Sequence, residues 1–589
     1  MKTRLRWLVI MLAAASLARG ADIVWHPWSD EVFAQARREN KFVYMDLEAV
    51  WCHWCHVMDS VTYRDPAVIQ EMNRSFIAVR VDQDSRPDLA ARYEDWGWPA
   101  TVIYAADGTE IVKKQGYVPP GPMVRLLRAV IEDPSPVDYH DAVPEPAAGS
   151  VGGLAPERRQ ALRKAWIAGY DDKAGGWGFS HKFLDRDGVE LALREAAAGN
   201  ADSARRARDT LRLQRKLMDP VRGGVFQYSV GGSWDEPHFE KIMQMQAENL
   251  KIYAQAYAQW GDPACLESAH SIRRYLQEVL TSPDGAFYTS QDADSPSGEE
   301  GARYYALDDA GRRAQAMPRI DKHTYARENG WAIEALAQYA AWTGDASADD
   351  EAIRAARWVL GNRALPGGGF RHDERDAAGP YLGDTLGMGR AFWSLYQVTA
   401  DTQWLAHAAG AAEFICAHFS RGAQPGFAAS DTMRSAFPPP RPEFDENVSL
   451  ARFGFVLAAA TGRRGFHDMA LKALQWAAAT GEAESRGFYL AGLLLADNES
   501  RGDPLHVAVV GRKDDPGAQA LFASALRSPA SYKLVEYWDR REGPAPRGED
   551  IYPEGRSAAA FVCAHGACSA PLVNAPSLDA RLRKLEAAQ

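Results

Sequence analysis

The apolar positions of the chain change period several times. WSDEVFAQARREN (28–40) reads as a helix with Ser29 placed to cap it, and KFVYMDLEA after it reads as a buried strand. VMDSVTYRD continues from WCHWCH (51–56) as a helix, and Pro66 opens another over PAVIQEMNRSF. IAVRVDQD predicts a strand, RPDLAARYED a short helix, PATVIYAADG and TEIVKKQGYV two strands, and GPMVRLLRAVIED a closing helix. PSPVDYHDAVPEPAAGSVGG is linker-like, and helical Ala/Leu/Arg patterns then run from Leu154 to Asp497. The last segment returns to strands: LHVAVVG, YKLVEYW and AAAFVCAH, with a helix DPGAQALFASALR after the first.

A repeat organises the helical region. A glycine-rich turn closing on an aromatic recurs at Phe179, Phe226, Phe287, Phe370, Phe427 and Phe488, with two helical stretches in most intervals. Six helical hairpins predict a closed (α/α)6 toroid rather than an open solenoid, with these loops gathered at one end of a central funnel. The expected layout is multidomain: 1–20 signal peptide, 21–133 thioredoxin-like α/β domain, 134–153 linker, 154–500 all-α six-hairpin toroid, 501–589 small C-terminal α/β unit. The thioredoxin fold is read from the element order of the first domain, strands alternating with helices and then a hairpin and a helix.

Composition changes this picture little. At 46% hydrophobic and 25% charged, the 589-residue chain is ordinary globular protein, and a net charge of −11 argues against nucleic acid as a partner. The N-terminus adds more. Arg4 and Arg6 precede the apolar run Trp7–Ala15, and a cleavage site before Ala21 completes a secretory leader. A periplasmic or secreted location, with no membrane attachment after cleavage, is the expectation. Disulfides persist there.

WCHWCH admits three chemistries: a CxxC redox pair of Cys52 and Cys55, covalent haem attachment through CxxCH, and a metal site that includes His53 or His56. A strand running into a helix places Cys52 at the positive helix end, which favours thiolate, and Cys55 one turn further in, as suits a resolving thiol. Haem needs a distal ligand and an apolar cleft, and Met58 lies too close in sequence. No distant CxxC or HxxxH completes a metal set. The expectation is a redox pair, with no metal and no cofactor. His53, if charged, would add to thiolate stabilisation; otherwise it is an exposed polar residue. Cys563 and Cys568 form a second close pair, read as a structural disulfide or as a second redox pair. His238, Glu240, Asp292 and Asp294 lie at the toroid loops, where paired carboxylates suit glycoside chemistry or simply tie loops together.

Two resemblances follow from these residues. The stretch Asp46 to Cys52 resembles the strand that leads thioredoxins into their active site. The resemblance implies that Asp46 is a buried proton carrier for Cys55, that Trp51 precedes the nucleophile, and that Trp98–Pro99 is a cis-proline shaping the docking groove. The whole chain resembles spermatogenesis-associated protein 20 and its bacterial YyaL-type relatives. It does so through CHWCHVM (52–58), RPDL (86–89), GWP (97–99), PHFEK (237–241), QDADSPSGEEG (291–301) and VCAHGACSAP (562–571). This chain departs from that family at His181-Lys182-Phe183 and Phe226-Gln227-Tyr228 and between Asp88 and Trp98. The family implies the fold more than the activity. The expected function is thiol–disulfide exchange with protein thiols or disulfides. The alternative is a glycan-active or glycan-binding toroid, with carbohydrate in the funnel and the first domain as a redox sensor or docking module.

Overall fold

The computed structural model describes residues 22–139, 153–296, 301–376, 378–432, 439–479, 481–543, 552, 557–564 and 567–586. The leader pattern, the centre of the linker and the tip of the Cys563–Cys568 turn lie outside them. The chain divides into two compact units. One comprises Met1–Glu48, Trp54–Val81 and Trp96–Val137; the other comprises Ala49–His53, Asp82–Asp95 and Asp138–Gln589.

The first unit is built on β1 (Trp25–Pro27), α1 (Asp30–Glu39), β2 (Phe42–Glu48), α2 (His53–Val57), α3 (Pro66–Ser75), β3 (Phe76–Asp82), α4 (Pro87–Arg92), β4 (Ala100–Tyr104), β5 (Glu110–Gln115) and α5 (Pro120–Glu132). The sheet order β1-β3-β2-β4-β5, with β1 parallel to β3 and β4 antiparallel to both β2 and β5, is the thioredoxin fold. The central strands are apolar on both faces because helices cover both, so Val43, Tyr44, Met45, Leu47, Val102 and Ile103 are all buried. Helix α5 buries Met123, Leu127 and Val130, one stripe of an amphipathic helix. Strand β1 has three residues, too few to show a period, and the sequence pattern misses it. Ser29 stands at the N-cap of α1 but makes no capping hydrogen bond, whereas Asp65 caps α3 through the amides of Ala67 and Val68.

The second unit is mainly helical. Its helices are α6 (Pro156–Ala168), α7 (Arg186–Ala197), α8 (Ala201–Gln214), α9 (Met243–Trp260), α10 (Pro263–Tyr275), α11 (Ala302–Tyr305), α12 (Asp309–Arg313), α13 (Ala326–Thr343), α14 (Ser347–Asn362), α15 (Leu382–Thr399), α16 (Thr402–His418), α17 (Phe444–Thr461), α18 (Arg464–Ala477), α19 (Glu482–Ser485) and α20 (Ala491–Glu499). Helices α7, α9, α13, α15, α17 and α20 pack each against the next, and α20 returns to α7, so the ring is closed. Outside them, α8, α10, α14, α16 and α18 each pair with the inner helix that precedes them, and α6 pairs with α20. This is the (α/α)6 toroid, closed by the first and last helices of the series. Inner helices α9, α13 and α17 end on Gly261, Gly344 and Gly462 in the left-handed region, and the chain turns at once into an outer helix.

The longer loops run from outer to inner helices, at the inner helices' N-terminal end. They carry short strands: β6 (Tyr228–Ser229) against β7 (Pro237–His238), and β8 (Lys241–Ile242), β9 (Ser290–Gln291) and β10 (Ile320–Asp321) in a three-stranded sheet. The glycine–aromatic repeat is here with two positions shifted, and Phe488, the sixth, makes no such bridge among the described residues. The bridging residues are Trp177, Val225, Phe287, Phe370 and Phe427. Phe179 and Phe226 lie just beyond their bridges, and Phe179 is exposed.

The C-terminal segment forms β11 (Leu505–Val510), α21 (Pro516–Arg527), β12 (Lys533–Trp538), β13 (Ala559–Ala564), β14 (Ala567–Cys568) and α22 (Ala575–Glu586), with sheet order β12-β11-β13-β14. It packs on the C-terminal ends of the inner helices. Trp342 donates to Ser528 O at 3.0 Å, Gln255 to Pro529 O at 3.0 Å, and Gln397 Oε1 accepts from Val535 N at 2.8 Å.

Candidate functional site

Cys52 and Cys55 are both disulfide-bonded, and both are buried, at 4% and 3% exposure. Strand β2 ends at Glu48, and α2 begins one residue after Cys52. The Trp98–Pro99 peptide is cis. Trp54 is 44% exposed and stacks on Tyr117 with centroids 5.8 Å apart. His56 is half-buried on α2.

Within the first unit, Asp46 lies on the central strand β2 and is buried, with Oδ1 lacking a hydrogen-bond partner. Arg80 on β3 faces it at 3.7 Å, reaches Glu48 at 3.3 Å and pairs with Asp59. Burial pushes the Asp46 carboxyl up to about 7; Arg80 works against that rise and the Asp59 charge adds to it. Asp46 is thus poised to hold or release a proton near neutral pH, the property a proton carrier requires. The carboxylates Asp46, Glu48 and Asp59 lie close enough to hold a cation, and Arg80 is the cation that meets them.

The turn from Ala49 to His53 belongs to the second unit, and its polar groups are gripped one after another. Val50 N donates to Asp82 Oδ1 at 3.3 Å, and Val50 O accepts from Arg319 at 2.6 Å. Trp51 Nε1 donates to Asp84 Oδ2 at 2.8 Å, and Trp51 O accepts from Ala293 N at 3.4 Å. His53 Nδ1 lies 2.9 and 3.0 Å from the two oxygens of Asp294, whose own amide donates to Asp292 Oδ1 at 3.0 Å. His53 N approaches Glu240 Oε1 at 3.5 Å. Glu240 and Asp294, read from the sequence as toroid site residues, therefore both meet His53 in this turn, with Asp292 behind Asp294. His238 lies 3.9 Å from Glu240 Oε2 and stacks on Tyr228.

Two residues that sequence reasoning missed support this turn from behind. His372 Nε2 donates to the carbonyl of Asp84 at 2.6 Å, and Nδ1 lies 2.8 Å from Asp384 Oδ1. A carbonyl only accepts, so Nε2 carries a proton. Burial pulls His372 down, but the Asp384 carboxylate outweighs it and lifts the imidazole to about 9. Asp84, buried beside Asp82 and Glu328, is held well above the usual carboxylate range. His372 was visible in the turn GGGFRH, but a lone histidine after a repeat motif carries no spacing that points to a partner.

The funnel narrows at mid-helix. Glu334 bridges Lys251 and Arg390, each at 2.7 Å, and Arg452 bridges Glu190 at 2.5 Å and Glu499 at 3.0 Å. A cavity of about 50 Å³ remains among them. Sites for small molecules usually need roughly 300 Å³ or more, so this level of the lumen is packed with ion pairs. Cys563 and Cys568 form a disulfide across the β13–β14 hairpin, with Cα atoms 4.0 Å apart.

Fold and site together define a thioredoxin-like domain with a CxxC disulfide, followed in the chain by an (α/α)6 toroid. Residues 16–132 match a protein-family model described as Thioredox_DsbH, protein of unknown function. The chain is 26% identical to spermatogenesis-associated protein 20 of Homo sapiens over 320 residues, 47% of this chain and 40% of that protein. It is 26% identical to an uncharacterized protein of Caenorhabditis elegans over 307 residues, 46% of this chain and 42% of the relative. The chain thus spans about two fifths of the length of these curated relatives. Among solved structures, a D-mannose isomerase matches 59% of this chain and 98% of its own at 12% identity and a TM-score of 0.45. A GH76 α-mannanase of Bacteroides thetaiotaomicron matches 58% and 94%, at 11% identity and 0.42.

Proposed function

We propose that the protein is a thiol–disulfide oxidoreductase of the periplasm or secretory space, acting on protein thiols or disulfides. The observation that carries this reading is the Cys52–Cys55 disulfide at the start of α2 in a thioredoxin fold that also holds a buried, proton-poised Asp46. In the reducing direction the Cys52 thiolate attacks a substrate disulfide, and one substrate thiolate leaves. Cys55, losing its proton to Asp46, then attacks Cys52 and releases the second substrate thiol. The protein dithiol becomes a disulfide, the substrate gains two electrons and two protons, and an external dithiol restores the pair. The location rests on the leader pattern of residues 1–20. The glycan reading is less favoured, because Glu240 and Asp294 are turned toward the redox turn and the lumen below is filled by ion pairs. The test is turnover of a model disulfide by the purified full chain: Cys52→Ser is expected to abolish it, and full activity in that variant would refute the proposal.

A further inference from the structure

Glu240 is the least compensated charge around the redox turn. It is 3% exposed, and its Oε2 has no hydrogen-bond partner. Its Oε1 makes one long approach, 3.5 Å, to the amide of His53. A buried carboxylate with one oxygen left without a hydrogen bond is costly, and a fold keeps one where surrounding structure holds it in place. That hold is visible. Lys241, the next residue, is locked by Asp219 at 2.7 Å, and Arg312 grips the same Asp219 oxygen at 2.7 Å. Strand β8 pairs with β9, and β7 with β6. Glu240 sits between these two anchored strands and cannot swing away.

The amide it approaches is bonded to the carbonyl carbon of Cys52. Covalent geometry therefore keeps the Cys52 sulfur within about 8 Å of the carboxylate, inside the screening length of physiological salt. The other charged groups facing the turn do not cancel Glu240. The His53 ring faces Asp294. Arg319 lies 3.7 Å from Asp292 and is largely exposed. Asp82 and Asp84 accept from Val50 N and Trp51 Nε1, and burial raises both carboxyls above the usual range, so neither supplies a cation to offset Glu240. His238, at 3.9 Å, is the nearest group that could oppose Glu240. Burial, and then the Glu240 charge, raise the phenol of Tyr228 to about 12.

We infer that Glu240 opposes the Cys52 thiolate, so that the reduced pair is disfavoured relative to the disulfide and the centre works as a donor of electrons to substrate disulfides. The inference rests on the oxidoreductase reading and fixes its direction. Like charges in a poorly solvated site exclude one another, so the anion already present raises the cost of forming the second. Stabilising a thiolate makes a pair more oxidising; opposing it makes the pair more reducing. Glu240 acts through the ionisation of Cys52 and is a positioning charge.

The experiment measures Cys52 alkylation in the reduced full chain against pH, by mass spectrometry of the Cys52 peptide, which keeps the exposed Cys416 from contributing. In Glu240→Gln the half-point is expected to fall by about one pH unit or more, raising the rate at pH 7 roughly tenfold. At pH well above both half-points, glutathione equilibria should shift toward the dithiol by a similar factor. Glu240→Asp should stay near wild type. His238→Lys, at a partly exposed position, brings a permanent cation to the carboxylate and should shift the profile in the same direction; it decides the matter alone if Glu240→Gln does not fold. Profiles that superimpose on wild type in the folded variants overturn the inference. Alkylation needs no turnover, so this outcome is distinct from failure of the oxidoreductase reading, which Cys52→Ser tests.

Discussion

At the scale of single residues, the centre is governed by carboxyl groups whose ionisation is opposed. Asp46 is the clearest. Its pKa is raised from near 4 to about 7, so the folded protein binds its proton more tightly than the unfolded chain does. The stability it contributes is present below about pH 4 and is lost as pH rises through 7. Asp46→Asn removes that dependence. Its stability relative to wild type is expected to grow by on the order of 4 kcal/mol between pH 4 and pH 8, read from urea midpoints. The same variant should slow resolution of the mixed disulfide by about a hundredfold, because Cys55 loses its proton acceptor. A flat stability difference across that range would show that Asp46 ionises freely. His372 runs in the same direction at higher pH: raised to about 9, it contributes stability below about pH 6.5 that fades as pH rises through 9.

At the scale of elements, the inner helices repeat a code. The fourth residue of α9, α13 and α17 is an amide: Gln246, Asn329 and Asn447. Each clamps both backbone groups of one loop residue. Gln246 holds Val225 at 2.8 and 2.7 Å, Asn329 holds Phe287 at 2.8 and 3.0 Å, and Asn447 holds Phe427 at 2.8 and 2.9 Å. The glycine–aromatic loops are thereby fastened to the helices they feed. Asn447→Leu would leave a buried N–H and C=O at Phe427 without partners and should cost roughly 2–5 kcal/mol in urea unfolding. A loss under 1 kcal/mol would mean that water or relaxation replaces the clamp. The ninth residue of α9, α13, α15, α17 and α20 is charged: Lys251, Glu334, Arg390, Arg452 and Glu499. These are the ion pairs that fill the lumen.

At the scale of the whole molecule, the helical unit has two distinct ends. The turn from Ala49 to His53 meets the loops that lead into α9 and α13, whereas the C-terminal sheet sits where the inner helices end. An 18-residue inner helix such as α9 separates those ends by about 27 Å. Sulfur-to-sulfur exchange requires contact, so Cys563 and Cys568 have no direct route to Cys52 in this arrangement. The double variant Cys563→Ala, Cys568→Ala is expected to keep model-disulfide turnover within twofold of wild type. A tenfold loss would restore the second pair as a redox relay.

What the sequence determined by itself was local or periodic. The alternation of strands and helices in the first domain, the repeat of turn and hairpin, and the strand–CxxC–helix junction all lie within a few residues of one another, where covalent geometry and apolar spacing are decisive. The C-terminal strands were legible for the same reason. The tertiary structure decided what depends on ring closure. That α6 completes the toroid with α20, that Glu240 and Asp294 face Cys52 and His53 across about 190 and 240 residues, and that His372 supports Asp84 are pairings of distant segments. No period in the chain encodes such pairings, because a carboxylate that faces a distant turn and one that caps its own loop read as the same letter. Only the closed ring, by bringing its loops to one end, separates the two roles.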